Sequence, residues 1–239
     1  MRIFAVIAFA AALASGADLR PRAAAGWEGF LPGTWVKLQV IFHQEDRRVA
    51  ISIQTTRLVK VGEKTLSLER VNKNALGMVQ TIPFEMPRTG EAGEGERETG
   101  TQNLPDTTFR LGKAELACSV RAITVATKTG KRVITFWESA DPQMLVRKKT
   151  EHFDASGKRI GVEEVKLESV GEQVAIKGGS IACSRYKMES IQGNQRNTGS
   201  VLMSRNVPGG IVRMEQDKFI DGKKHSTQKQ QVTELVVRQ

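Results

Sequence analysis

Side chains that commonly do chemistry are sparse in this 239-residue chain, and none of them converge. The three histidines, His43, His152 and His225, lie far apart in sequence, with no His-x-x-x-His pair and no neighbouring cysteine. A metal centre or a general base needs such groups brought together, so the three are read as solvated residues in or beside turns. Glu163-Glu164 is a carboxylate pair. Successive strand residues point to opposite faces, however, so the two cannot act on one substrate atom. A Gly-x-Ser-x-Gly elbow, a phosphate-cradling glycine loop and a dinucleotide fingerprint are all missing. The chain reads as a non-enzyme, with no cofactor and no metal expected.

Two cysteines remain, Cys118 and Cys183, and they open the way to the architecture. Ala117-Cys118-Ser119 recurs as Ala182-Cys183-Ser184. Ser139, Pro142, Val146-Arg147 and Phe153 then recur as Ser204, Pro208, Val212-Arg213 and Phe219. The offset is 183−118=65 at the cysteines and 219−153=66 at the phenylalanines, so one insertion aligns about forty residues. Pro208-Gly209-Gly210 has Pro142-Gln143-Met144 as its counterpart, which makes that position a turn and not a ligand cradle. Equivalent cysteines suit a disulfide where the compartment is oxidising. Repeat mates can also lie apart as two buried thiols, and both readings stay open.

The segments that must carry these residues read as strands. Val49, Ile51 and Ile53 alternate at period two, the mark of a half-buried strand. Phe153 to Arg159 stands where Phe42 to Arg48 stood, and Phe219 to Lys224 opens a third, truncated copy. The recurring unit is a hairpin whose turn carries Gly-Lys, glycine supplying the positive φ of tight turns. The expected fold is mainly β: about a dozen antiparallel strands in a curved sheet or open half-barrel, built from two tandem repeats. The first repeat is placed at 33–140 and the second at 141–239, joined in one continuous sheet. Residues from about 88 to 103 are almost free of apolar side chains and rich in glycine and charge, so they are expected to be a disordered insertion. The lysine-rich final strand pair, Lys218 to Lys229, reads as a guarded sheet edge.

Met1-Arg2, the apolar run Ile3 to Leu13 and Ser15-Gly16-Ala17 form a secretory signal peptide, with cleavage expected after residue 17 or as late as 25. Its apolar core is shorter than the roughly 20 residues of a membrane span, and no later run approaches that length. A periplasmic or secreted location follows. The formal charge is +10, and loss of Arg2 with the leader leaves +9. Single-strand nucleic-acid binders interleave basic residues with stacking aromatics. Here one Tyr, three Trp and nine Phe must also fill the core, so nucleic acid is not expected. The basic pairs Arg47-Arg48, Lys158-Arg159 and Lys223-Lys224 occupy equivalent turns and are candidate contacts to an anionic surface. Lys131-Arg132 belongs to a different hairpin, so its end of the sheet is left open.

Gly199-Ser-Val-Leu-Met-Ser204 followed by Val207-Pro-Gly-Gly-Ile-Val-Arg213 resembles a segment of uncharacterised exported bacterial proteins. Phe136-Trp-Glu-Ser139 is similar to its tryptophan form. Some of those proteins are similar in strand pattern to periplasmic lipoprotein carriers, whose open half-barrel cups an apolar ligand. The export signal, the repetitive β pattern and the lack of catalytic groups lead to the expectation of an exported, non-enzymatic envelope protein whose curved sheet holds an apolar or amphiphilic ligand, a lipid or other amphiphile. This chain lacks the carriers' helical plug, and no carrier residue transfers by position. Val133, Phe136, Val146, Ile160, Val162, Val165, Ile211 and Val212 are the candidate lining of such a cup. The alternative is a structural module without a cavity that meets an envelope protein through its sheet edges.

Overall fold

Strand burial follows the two-residue period that the pleat imposes. In the segment 133–139, Ile134 and Phe136 are buried while Val133, Thr135 and Trp137 are only half-buried. The computed structural model describes residues 26–27, 29–44, 47–63, 65–87, 97–141 and 143–238. The expected leader and residues 88–96 of the expected insertion lie outside them. Among the described residues the chain forms thirteen strands: β1 (Trp35–Gln44), β2 (Arg47–Val61), β3 (Thr65–Asn74), β4 (Val79–Pro87), β5 (Arg97–Leu111), β6 (Ala114–Thr127), β7 (Gly130–Ala140), β8 (Gln143–Asp154), β9 (Arg159–Ile176), β10 (Gly179–Gln192), β11 (Gln195–Met203), β12 (Ile211–Ile220) and β13 (Lys223–Val236). Residues 97–103, assigned by composition to the disordered insertion, form the first half of β5. The expected repeat boundary at 140 falls in the turn between β7 and β8.

All thirteen strands belong to one antiparallel sheet, in the order β4-β3-β2-β1-β13-β12-β11-β10-β9-β8-β7-β6-β5. The expectation that Lys218 to Lys229 guards an edge is corrected here, because β12 and β13 sit inside the sheet and β13 is flanked by β1. Local pattern cannot reveal a pairing between strands nearly two hundred residues apart. The true edges are β4 and β5, consecutive in sequence. Flat, a sheet with twelve strand gaps would be about 58 Å wide, whereas the ten peptide units from Pro87 to Arg97 reach at most about 36 Å. The sheet is therefore curved and open. Lys166 of β9 accordingly lies 5.4 Å from the ring of Phe109 in β5, four places away in the sheet order.

Two apolar clusters hold this curvature. The first draws on β6 to β12, with Ile123, Ile134, Phe136, Val165, Met188 and Met214 at its centre. The second joins Leu58, Leu66 and Leu68 of β2 and β3 to Val174, Cys183 and Val232, closed over by Trp27 and Phe30. Successive residues of β11 enter different clusters, Val201 and Met203 the first and Leu202 the second. Adjacent strand residues point to opposite faces, so the sheet is packed on both sides there. The repeat also has a structural meaning. Cys118 and Cys183 are each the fifth residue of their strands, and Phe153 and Phe219 each stand one before the end of theirs. The block β6–β9 thus matches the block β10–β13.

Glycine is required at two close approaches. A Cβ on Gly130 (φ 155°) would stand 2.0 Å from the Phe153 carbonyl oxygen, and one on Gly199 would stand 2.2 Å from that of Glu215. Gly130→Ala and Gly199→Ala should each cost about 2–4 kcal/mol in urea unfolding. Gly178→Ala, left-handed but with open space around it, should cost about 1 kcal/mol. Equal, small effects at all three positions would mean that these strand approaches are looser than described.

Candidate functional site

The antiparallel order gives the sheet two ends, and the ladder slips at both. At one end the ladders slip repeatedly, between Trp137 and Glu138 of β7, between Cys183 and Tyr186 of β10, and between Leu202 and Met203 of β11. Each bulge places an extra residue against one partner and bends its strand. Where they meet, side chains do not fill the space. A pocket of about 320 Å³ opens there, lined by Gln143, Met144, Leu145, Gly171, Ala182, Cys183, Ser184, Tyr186, Met203, Ser204 and Arg205. Leu145, Tyr186 and Met203 belong to the first cluster and Cys183 to the second, so the pocket lies at their junction. That volume is at the small end of ligand sites.

The lining is apolar below and polar at the rim. Tyr186, the only tyrosine, donates its buried hydroxyl to the Leu145 carbonyl at 3.1 Å, bridging β10 to β8. Burial pushes its pKa up to about 12, so it stays neutral. The exposed Arg205 donates to the Gln143 carbonyl at 2.6 Å, tying the β11–β12 loop to the β7–β8 turn. Beside the pocket, Arg185 forks onto both carboxylate oxygens of Glu172 at 2.8 and 2.6 Å, and Ser169 also donates to Glu172. These bonds, Arg185 first, hold the Glu172 pKa down to about 2 and pin the β9–β10 bulge. Cys118 and Cys183 are free, buried thiols, each donating to the carbonyl two residues back, of Leu116 and Ile181. Burial raises the Cys183 pKa to about 11, with Glu172 adding to it, so this thiol is inert in the pocket wall.

None of the eight sequence-nominated residues lines this pocket. Phe136 and Val165 sit inside the first cluster, Ile211 packs against it, Val212 lies in the second, and Val146 is fully buried. Val133 and Val162 stand opposite Glu151 on the reverse face from Phe136 and Val165, and Ile160 is exposed. The eight therefore do not share one surface. Sequence reasoning missed Met144, Leu145, Tyr186, Met203 and Arg205. A signal was present all the same: Ala182-Cys183-Ser184 and Ser204, four markers of the second repeat, all line the pocket.

A second feature lies deeper in the sheet. Phe136, Lys148, Val165 and Met188 stand in one cross-strand row on β7 to β10, so a lysine occupies a place in a row of core residues. Lys148 keeps 9% of its surface exposed, and its Nζ lies 5.8 Å from the Phe136 ring. Desolvation lowers its pKa to about 8, with Glu163 opposing the shift and Arg132 adding to it. His152, on the same face, is half-buried and not a solvated turn residue; its Nε2 has no hydrogen bond and stands 3.5 Å from Glu163. Glu164 turns to the other face and meets Arg147 at 2.7 Å. His43 is exposed and His225 half-buried, each in a strand. Among the described residues, no group of three or more His, Cys, Asp and Glu could hold a metal ion.

No family model matches the sequence, and no curated protein matches it either. Among solved structures, the chain is similar to an exported protein with a YmcC-like fold from Bacteroides fragilis. Identity is 10% and the TM-score 0.38, over 87% of this chain and 98% of that one. It is similar to an outer membrane lipoprotein-sorting protein domain from Vibrio parahaemolyticus, with 10% identity and a TM-score of 0.39, over 90% and 88% of the two chains. A LolA superfamily protein from Nitrosomonas europaea gives 8% identity and a TM-score of 0.36, over 87% of each chain. Likeness at these scores carries no argument about function, so the site's own geometry must supply one.

Lys148 has a pH signature. Its folded pKa lies below its ordinary 10.5, so between about pH 8 and 10.5 the unfolded chain holds a proton that the folded chain does not. Stability should rise with pH across that window, by roughly 2–3 kcal/mol. Lys148→Met should gain a similar amount at pH 7 and flatten the rise, as read by urea unfolding at successive pH values. A variant less stable than wild type at pH 7 would show that the ammonium is compensated.

Proposed function

We propose that this is an exported, non-enzymatic cell-envelope protein that holds an amphiphile, with the apolar part in the bulge-lined pocket and an anionic head at Arg205. The observation that carries the reading is the pocket itself: an apolar floor of Met144, Leu145 and Met203 beneath a rim bearing one exposed guanidinium. A volume of 320 Å³ suits a single alkyl chain and is too small for a diacyl lipid held whole. Arginine forks onto carboxylate or phosphate oxygens, and Arg205 stands where such a head would emerge. The inert thiol and the neutral tyrosine add no reactive group to the wall, which suits holding over turnover. Export is read from the amino-terminal leader.

Strand addition at the sheet edges is the weaker reading. Edge strand β4 carries Pro83 and Pro87, which have no N–H to donate, and edge strand β5 carries Pro105 within a ladder slip between Leu104 and Thr107. Both edges are thus interrupted.

Dodecanoate should bind saturably in isothermal titration, and purified protein should carry amphiphile in native mass spectra. Ala182→Trp, at an exposed lining position, should fill the mouth and cut affinity by at least about tenfold while leaving urea stability unchanged. Arg205→Glu should weaken a carboxylate ligand by about tenfold and a neutral monoglyceride much less. Wild-type affinity in both variants would remove the pocket from the account.

A further inference from the structure

We infer that the end of the sheet opposite the pocket docks on a bilayer surface rich in anionic lipid. The inference is independent of any ligand in the pocket. It begins at the tip of the β3–β4 hairpin, where Leu76 is 85% exposed, Met78 63% and Val79 61%. The tip is held in shape: Asn74 Oδ1 accepts from the N–H groups of Leu76 and Met78, each at 3.0 Å. The Gly77 N–H donates to the Asn74 carbonyl at 3.0 Å, and the Asn74 N–H donates to that of Met78 at 3.1 Å. Gly77, at φ 80°, takes the left-handed position that this turn needs.

The apolar surface continues behind the tip. Lys73 pairs with Ile53 on one side and with Val79 on the other, so these residues share a face. On that face β2 exposes Val49, Ile51 and Ile53, while Ser52, Gln54 and Thr56 of the opposite row are the more buried. An antiparallel strand normally turns its polar row to water. Here the arrangement is inverted, and the inverted row runs to the exposed tip.

Charge identifies the occupant. The turns β1–β2, β3–β4, β6–β7, β8–β9, β10–β11 and β12–β13 all lie at this end, as pairs such as Gln44 with Ser226 and Gly130 with Asp154 require. This end therefore gathers the Arg47-Arg48, Lys158-Arg159 and Lys223-Lys224 turns, and the Lys131-Arg132 turn as well. Some of this charge is paired, as Lys224 with Asp217 at 2.8 Å and Arg159 with Glu151 at 2.9 Å. Lys128, Lys158 and Lys223 are exposed and make no ion pair among the described residues. Hairpins at alternate strand gaps place neighbouring turns about 10 Å apart around a curved rim. The β6–β7, β8–β9 and β12–β13 turns are net basic, Glu45-Asp46 balances Arg47-Arg48 in sequence, and the β10–β11 turn carries no basic pair. A protein epitope would have to match that whole rim, whereas a fluid anionic surface meets each turn where it stands. Apolar side chains at a tip beside basic turns are the composition of an interfacial anchor.

Flotation with vesicles of phosphatidylcholine, with and without phosphatidylglycerol, tests this. Wild type should float with the anionic vesicles at low salt, be released at high salt and ignore pure phosphatidylcholine. Lys158→Glu with Lys223→Glu should lower partitioning at least about 25-fold, from about fivefold per lysine near the surface. Leu76→Ser with Met78→Ser should lower it about tenfold. Tryptophan at the tip, Met78→Trp, should shift its emission to the blue on anionic vesicles, and Arg205→Trp at the far end should not. Failure to float, equal flotation with neutral vesicles, or a blue shift at position 205 alone would overturn the inference. So would sedimentation showing a dimer that Leu76→Ser with Met78→Ser converts to monomer, because the apolar face would then belong to a second copy.

Discussion

The ladder between β1 and β13 is the constraint on which the rest depends. It runs from Trp35 opposite Val236 to Gln44 opposite Ser226, joining the first described strand to the last. Without it, β1 to β4 would be a separate four-stranded meander with no route to the second cluster. With it, β2 and β3 bring Leu58, Leu66 and Leu68 onto Val174, Val207 and Val212. It also makes β4 and β5 the two edges, and the short link between them forces the curl. A closure between such distant residues must await the intervening hairpins, which predicts slow folding of the high-contact-order kind.

Curvature places the chemistry. Slips in the ladder occur at both ends of the sheet, and those of β7, β10 and β11 fall where the two packed clusters meet. The pocket is what these last slips leave unfilled, and the Arg185–Glu172 fork holds one of them in place. Lys148 is a different kind of departure. A buried ammonium disfavours the folded state unless something compensates it, and the Phe136 face and the charge of Glu163 compensate it in part. The two departures from ideal packing are thus one gap, lined from both blocks that the repeat marks, and one charge in the first of them.

Much of the fold was legible because strands announce themselves by a period of two. Hairpin turns at Gly157, Gly193 and Gly222 take the positive φ that glycine allows. The same periodicity identified β2 as a half-buried strand at Val49, Ile51 and Ile53 without showing which row is covered, and the structure has this apolar row outside. Alternation reports that two faces differ and not which one is covered; the cover comes from strands remote in sequence. Residues 97–103 were misread for a related reason, since an exposed edge strand such as β5 can be as polar as a loop. Of the pocket's lining, only the repeat markers Ala182, Cys183, Ser184 and Ser204 stood out in the sequence. Met144, Tyr186 and Met203 converge through bulges, which depend on pairing and leave no local pattern. The repeated Ala-Cys-Ser triplet was the nearest sequence signal, and it was read as fold alone.

The methionines supply the most direct test of the central claim, that the bulge junction holds an amphiphile. Met144 and Met203 line the pocket, Met188 and Met214 lie in the first cluster, and Met78 sits at the far hairpin tip. Methyl spectra of protein labelled with carbon-13 at the methionine methyls can follow all five during titration with dodecanoate. The account predicts saturable shifts at Met144 and Met203, small ones at Met188 and Met214, and none at Met78. Shifts confined to Met78, or no change at Met144 and Met203 at saturating ligand, would contradict it.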